Sequence, residues 1–168
     1  MLIKEILGNT ALQSLGKLKI DLLEMEWYDA TKRIQRKTSN GGTELSIKFL
    51  REGQRLHDGD ILFTDNEKAI VVHIKPCDAI VITPKTMLQI GTVCYEIGNK
   101  HMPLFIQDEL VLMPFEMPMF RWLEAGGYEP VKEEHQLLHL LKSNVEPHGH
   151  SGNTSLFSKI INIASKND

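Results

Sequence analysis

The sequence predicts an α+β protein. A small all-β N-terminal domain is followed by a ferredoxin-like βαββαβ C-terminal domain and a flexible C-terminal tail. Three observations carry this. Up to about residue 75, apolar and polar residues alternate in short runs split by turn residues, the period of half-buried strands. Between Ala79 and Leu138, two runs at helical spacing interrupt strand-like runs in the order β-α-β-β-α-β. Beyond Leu141, Ser, Asn, Gly, Pro and His replace the periodic residues, which is loop composition. The expected units are 1–75, 76–142 and 143–168.

Composition narrows the function classes. An apolar fraction of 42% and a charged fraction of 24% over 168 residues are those of a soluble globular protein. A net charge of −3 argues against nucleic acid as the main partner, since phosphate binding wants a basic surface. Cys77 and Cys94 have no framework spacing, as expected of a reduced cytoplasmic protein. The first residues carry charge and glycine too early for a secretory apolar region, and no run approaches a membrane span.

In chain order, Leu2 to Leu7 is an apolar-rich run ended by Gly8-Asn9. Leu23, Met25 and Trp27 alternate with Glu24 and Glu26, which predicts a half-buried strand. Arg33 to Thr38 predicts the next, and Asn40-Gly41-Gly42 suits the positive φ angles of a tight hairpin. Leu45, Ile47 and Phe49 form the returning strand. His57-Asp58-Gly59-Asp60 is a turn before Ile61-Leu62-Phe63, and Asp65-Asn66 another before Ala69 to Ile74. Five or six such strands predict a small antiparallel barrel or sandwich. The basic cluster Lys32, Arg33, Arg36 and Lys37 is either a surface for an acidic partner or solvated charge flanking a strand, the second favoured at this net charge. His57 belongs to a surface turn, and His73 to an apolar strand as a core or edge residue.

Lys75-Pro76-Cys77-Asp78 breaks the pattern and marks the expected boundary; a continuous hairpin bridging both domains is the alternative. Cys77 has no cationic neighbour beyond Lys75 and is expected to be inert. After a strand at Ala79 to Ile82, Pro84 opens a helix, with Thr83 as its capping side chain. Met87, Ile90, Cys94 and Ile97 make its buried stripe, with Cys94 a small hydrophobe. Gly98-Asn99 supplies the left-handed C-terminus, and Pro103 forbids continuation. A hairpin at 104–112 follows, then a helix from Met117 or Pro118 to Ala125 burying Met119, Phe120 and Leu123. The last strand lies near Val131, with His135 and His139 at its end. His101 falls just past the first helix, as a candidate ligand or a solvated capping residue.

Glu96-Ile97-Gly98-Asn99-Lys100-His101-Met102-Pro103 resembles the Glu-(Leu/Ile)-Gly-Asn-(Arg/Lys)-His segment of the UreE family of urease accessory proteins, which act as nickel metallochaperones. Leu23 to Trp27, Arg33 to Arg36, Gly59 to Leu62 and Thr83 to Met87 resemble further family elements in the same order, over roughly residues 1 to 145. The resemblance implies the ferredoxin-like second domain, a β-rich first domain that binds peptides or partners, and His101 as the principal metal ligand. It also implies a homodimer binding nickel at its interface, with the urease accessory GTPase and the urease apoprotein complex as partners. Catalysis is not expected.

His148 and His150 flank a glycine, so both imidazoles can turn toward one ion; a plain solvated tail is the alternative. The family often carries a longer histidine run here, and two residues cast doubt on metal storage. Beyond them, Phe157, Ile160, Ile161 and Ala164 form the stripe of a short amphipathic helix. A site of imidazoles and water suits nickel, zinc or copper, and a single His101 needs donors from elsewhere, most cheaply from a two-fold partner. Two other readings stay open. One is a metal-dependent hydrolase using His101 and Glu96, though no His-Glu-x-x-His, nucleophile elbow or phosphate-binding loop occurs. The other is a two-domain interaction protein in which metal is incidental.

Overall fold

The computed structural model describes residues 1–51 and 53–141. The expected tail, with His148, His150 and the amphipathic stripe, lies outside the described residues. The N-terminal β domain consists of two sheets. One has β1 (Leu2–Ile3), β5 (Glu44–Lys48) and β4 (Ile34–Thr38) in the order β1-β5-β4. The other has β2 (Gly8–Asn9), β6 (Asp60–Thr64), β7 (Lys68–Ile74) and β3 (Lys19–Met25) in the order β2-β6-β7-β3. Their inner faces share a core that includes Leu23, Met25, Leu45, Ile47, Ile70 and Val72.

The expected antiparallel arrangement is corrected at two places. β3 runs parallel to β7 and β1 parallel to β5. Alternation with period two reads the same in either direction, so direction is set by the connections. β3 reaches β7 through the β4–β5 hairpin and β6, a crossover long enough for parallel pairing. β3 also stops at Met25, before Trp27. Within the β4–β5 turn, Gly42 takes the positive φ (84°). Gly41 is needed for another reason: a Cβ there would sit 2.7 Å from a carboxylate oxygen of buried Asp21. That carboxylate accepts from Ser39 Oγ and the Gly41 N–H, both at 2.7 Å.

The C-terminal region follows the expected order: β8 (Cys77–Ile82), α1 (Met87–Asn99), β9 (Phe105–Gln107), β10 (Leu110–Pro114), α2 (Met117–Ala125) and β11 (Val131–His135). Its sheet is antiparallel, ordered β11-β8-β10-β9, the connectivity of a ferredoxin-like unit. Both helices cover one face: Val93 and Ile97 of α1 and Met119 and Leu123 of α2 pack on Ile80, Ile82, Val111 and Met113. Phe120, expected in this core, is only partly buried at its margin. The opposite face, with Ala79, Val81, Phe105 and Leu112, meets Trp27 of the N-terminal domain. The Trp27 and Phe105 rings stand edge to face at 5.5 Å. The Gln136 side chain donates to the Ile74 carbonyl at 2.6 Å, tying the end of β7 to the residue after β11.

Asp29 anchors the loop between β3 and β4. Burial would raise its carboxyl, but the ammonium groups of Lys32 and Lys37 outweigh this and hold it below its ordinary value. A carboxylate depressed in the folded state contributes stability above its unfolded value and loses it as pH falls through the folded one. Asp29→Ala is therefore expected to cost about 2 kcal/mol at neutral pH. Urea midpoints should separate parent and variant at neutral pH and converge in acid.

Candidate metal site at the end of the first helix

The sheet fixes α1, and the caps of α1 fix His101. The N-terminus corrects the expected start at Pro84. Thr86 is the capping residue, its Oγ accepting from the Gln89 N–H at 3.1 Å, while the Gln89 side chain accepts from the Lys85 N–H at 2.6 Å. The signal was present as Thr86-Met87-Leu88-Gln89, a capping-box spacing. At the other end the helix continues through Gly98-Asn99, and the left-handed residue is His101 itself, with φ of 55°. The His101 N–H donates to the Gly98 carbonyl at 2.9 Å and the Met102 N–H to the Ile97 carbonyl at 3.3 Å. This is a Schellman closure with histidine at the position that favours glycine. Met102 packs on the core beside Ile97, and Lys100 lies over the Trp122 ring at 5.5 Å, bracing the helix end against α2. The imidazole is left exposed at the turn.

Among the described residues, nothing covers one side of α1. Met87, Leu88 and Tyr95 are 81%, 79% and 67% exposed, and with Gly91 and Gly98 they line one side of the helix. This corrects the expected buried stripe. Val93 and Ile97 are its buried members, Ile90 and Cys94 flank them, and Met87 faces outward. Among the described residues a Cβ at Gly91 or Gly98 would meet nothing within 4 Å, so their packing does not require glycine there.

After β11 the chain returns along the outer edge of β9. The Ile106 N–H donates to the His139 carbonyl at 3.2 Å, and the Leu141 N–H to the Leu104 carbonyl at 2.7 Å. Leu141, which leads into the tail, is thus paired with a residue three positions past His101. Nothing in the apolar periodicity marked this edge.

The other candidates are placed as follows. His57 sits in a turn near Asp60, and His73 Nδ1 lies 3.4 Å from Asp58 Oδ1. His135 closes β11 and His139 lies on the β9 edge, so their spacing of four is not a helical pair. Cys94 is half-buried, and burial pushes its thiol up; Cys77 is raised by burial and by Glu26, Asp78 and Glu134. Among the described residues, no group of three or more His, Cys, Asp or Glu side chains is placed to hold one ion. Of the three expected ligands, the structure describes His101 alone.

Fold and site define an α+β protein, an N-terminal β domain followed by an α+β region, that presents the exposed imidazole of His101 beside an apolar helix face. Residues 3–75 match the family model described as UreE urease accessory protein, N-terminal domain. The chain is 54% identical over 164 residues to the urease accessory protein UreE of Flavobacterium johnsoniae, covering 98% of this chain and 99% of the relative. It is 44% identical to UreE of Haemophilus influenzae over 85% of this chain and 80% of the relative. With UreE of Acetivibrio thermocellus it shares 36% identity over 90% of this chain and 98% of the relative. The chain belongs to the UreE family of urease accessory proteins.

The cap geometry makes a prediction independent of metal. A non-glycine residue in the left-handed region costs about 1 kcal/mol or more. His101→Gly should therefore raise the free energy of unfolding by about 1 kcal/mol, read as a higher denaturation midpoint. A lower midpoint would show that the imidazole makes stabilising contacts in the fold.

Proposed function

We propose that this protein is a cytoplasmic nickel metallochaperone that carries Ni(II) to the urease active site during its assembly. The observation that carries this reading is His101: a strained, exposed imidazole at a braced helix end, with no further donors gathered beside it among the described residues. A site that one chain leaves incomplete is completed by symmetry. The uncovered face of α1 suits a two-fold partner, since the apolar side chains Met87, Leu88 and Tyr95 gain burial and Gly91 admits a close helix. Two copies of His101 then share one ion.

The tail supplies the remaining donors. His148 is seven residues past Leu141, a reach of up to roughly 25 Å, and His101 is three residues, at most about 10 Å, from the paired Leu104. His148 or His150 can therefore join His101 in the same site. Imidazoles bind nickel, zinc or copper alike, so selection among them rests on supply and on the receiving protein. Coordination by a few imidazoles, some on a long tail, favours handing the ion on, whereas a closed thiolate site would retain it. The receiving partners in this reading are the urease accessory GTPase and the urease apoprotein complex.

A hydrolase built on His101 and Glu96 is less well supported, because no third donor joins them among the described residues. Calorimetry with sedimentation tests the chaperone reading. Tight binding should saturate at one nickel per dimer, strengthen the dimer, and weaken as acid protonates the imidazoles. His101→Ala should remove the tight site with fold and dimer retained, and the pair His148→Ala/His150→Ala should weaken it without abolishing it. One tight nickel per monomer, with dimerisation indifferent to metal, would refute the shared site.

Leu88→Glu separates interface from fold. So exposed a residue should change monomer stability by no more than about 0.5 kcal/mol. The variant should nevertheless sediment as a monomer and bind nickel more weakly.

A further inference from the structure

The basic stretch at 32–37 is divided by the fold. Lys32 and Lys37 turn to Asp29. Arg33 and Arg36, with Lys48 on β5, have no ion-pair partner among the described residues. Arg36 lies on β4 and Arg33 just before it, and among the described residues β4 ends its sheet and pairs only with β5.

The ladder shows which groups are free. The Phe49 N–H donates to the Arg33 carbonyl and the Ser39 N–H to the Thr43 carbonyl, each at 2.9 Å. Hydrogen-bonded pairs alternate along an antiparallel ladder, so Gln35 and Lys37 spend their backbone groups on β5. Ile34, Arg36 and Thr38 direct theirs to the open edge. The same three side chains lie on the outer face, where Ile34 is 68% exposed and Leu2 of β1 54%. Their cross-strand neighbours are Lys48, Ser46 and Glu44.

We propose that this edge is a docking site for an extended acidic segment of a partner protein, added as a further strand beside β4. The incoming backbone pairs with the free groups of Ile34, Arg36 and Thr38. Its outward side chains then fall on the face held by Ile34 and Arg36, where carboxylates meet Arg36 and Lys48. Charge selects this occupant. A second copy pairing edge to edge would bring its own Arg33 and Arg36 against the same cations. Residues 142–168 carry three lysines against Glu146 and Asp168 and so bring no excess of carboxylates.

The test titrates the full-length protein with a capped octapeptide of alternating Thr and Glu at low salt. The Thr-Lys octapeptide and a single-stranded oligothymidylate serve as controls. The acidic peptide should bind, lose affinity with salt, and slow amide exchange at Ile34, Arg36 and Thr38 in the unmodified protein. Arg36→Glu should weaken it at least about tenfold. Thr38→Pro should do the same, because it removes an outward N–H while leaving the β4–β5 ladder intact. No binding, equal binding of the Thr-Lys peptide, or unchanged exchange at those amides overturns the proposal. Tighter binding of the oligothymidylate at Arg36 reassigns the face to nucleic acid. Self-association that Arg36→Glu alters reassigns it to a second copy.

Discussion

The rest of the molecule depends on the C-terminal sheet being buried on both faces. Ala79, Ile80, Val81 and Ile82 of β8 are all buried, with odd residues facing the N-terminal domain and even residues facing the helices. Ile80, Val81 and Ile82 each contribute about 1.5–3 kcal/mol on burial. The helix layer determines where α1 lies and therefore where it ends. The other face takes up Trp27 and fixes the N-terminal domain against the sheet. Moving the sheet would move both the imidazole and the β4 edge.

On that base the helix end is built against local preference. A glycine would close α1 more comfortably than His101, and both closing hydrogen bonds form regardless. Strain of this kind persists where packing over-determines it, here through Met102 on the core and Lys100 over Trp122. The side chain is held at a defined place with few of its own atoms in contact.

The two halves of the molecule offer different surfaces. The uncovered side of α1 is apolar and glycine-containing, suited to a second copy of a rigid helix. The outer face of the small N-terminal sheet is cationic and ends in unpaired backbone groups, suited to an extended chain. Asp29 makes this separation by taking the charges of Lys32 and Lys37 into ion pairs. What remains unpaired is Lys48 and two arginines, whose planar forks match a carboxylate.

By itself the sequence determined the α+β order, the β4–β5 hairpin, α2 and the metal-ligand candidate, because these rest on local periodicity and on turn and cap chemistry. The segment around His101 also carried enough identity to place the chain in its family. Strand direction did not follow, since alternation is the same for parallel and antiparallel neighbours. Met87 passed for a core residue because its spacing to Ile90 is as helical as that of Val93 to Ile97, and only the sheet beneath decides which stripe is covered. The left-handed residue was expected at Gly98-Asn99 because those types tolerate it best, but the helix runs on until Met102 can reach the core, which leaves His101 to make the turn. The pairing of Leu141 with Leu104, and the division of four cations between Asp29 and the surface, join residues far apart in the chain. Contacts of that range depend on how the layers pack, so only the tertiary structure decided them.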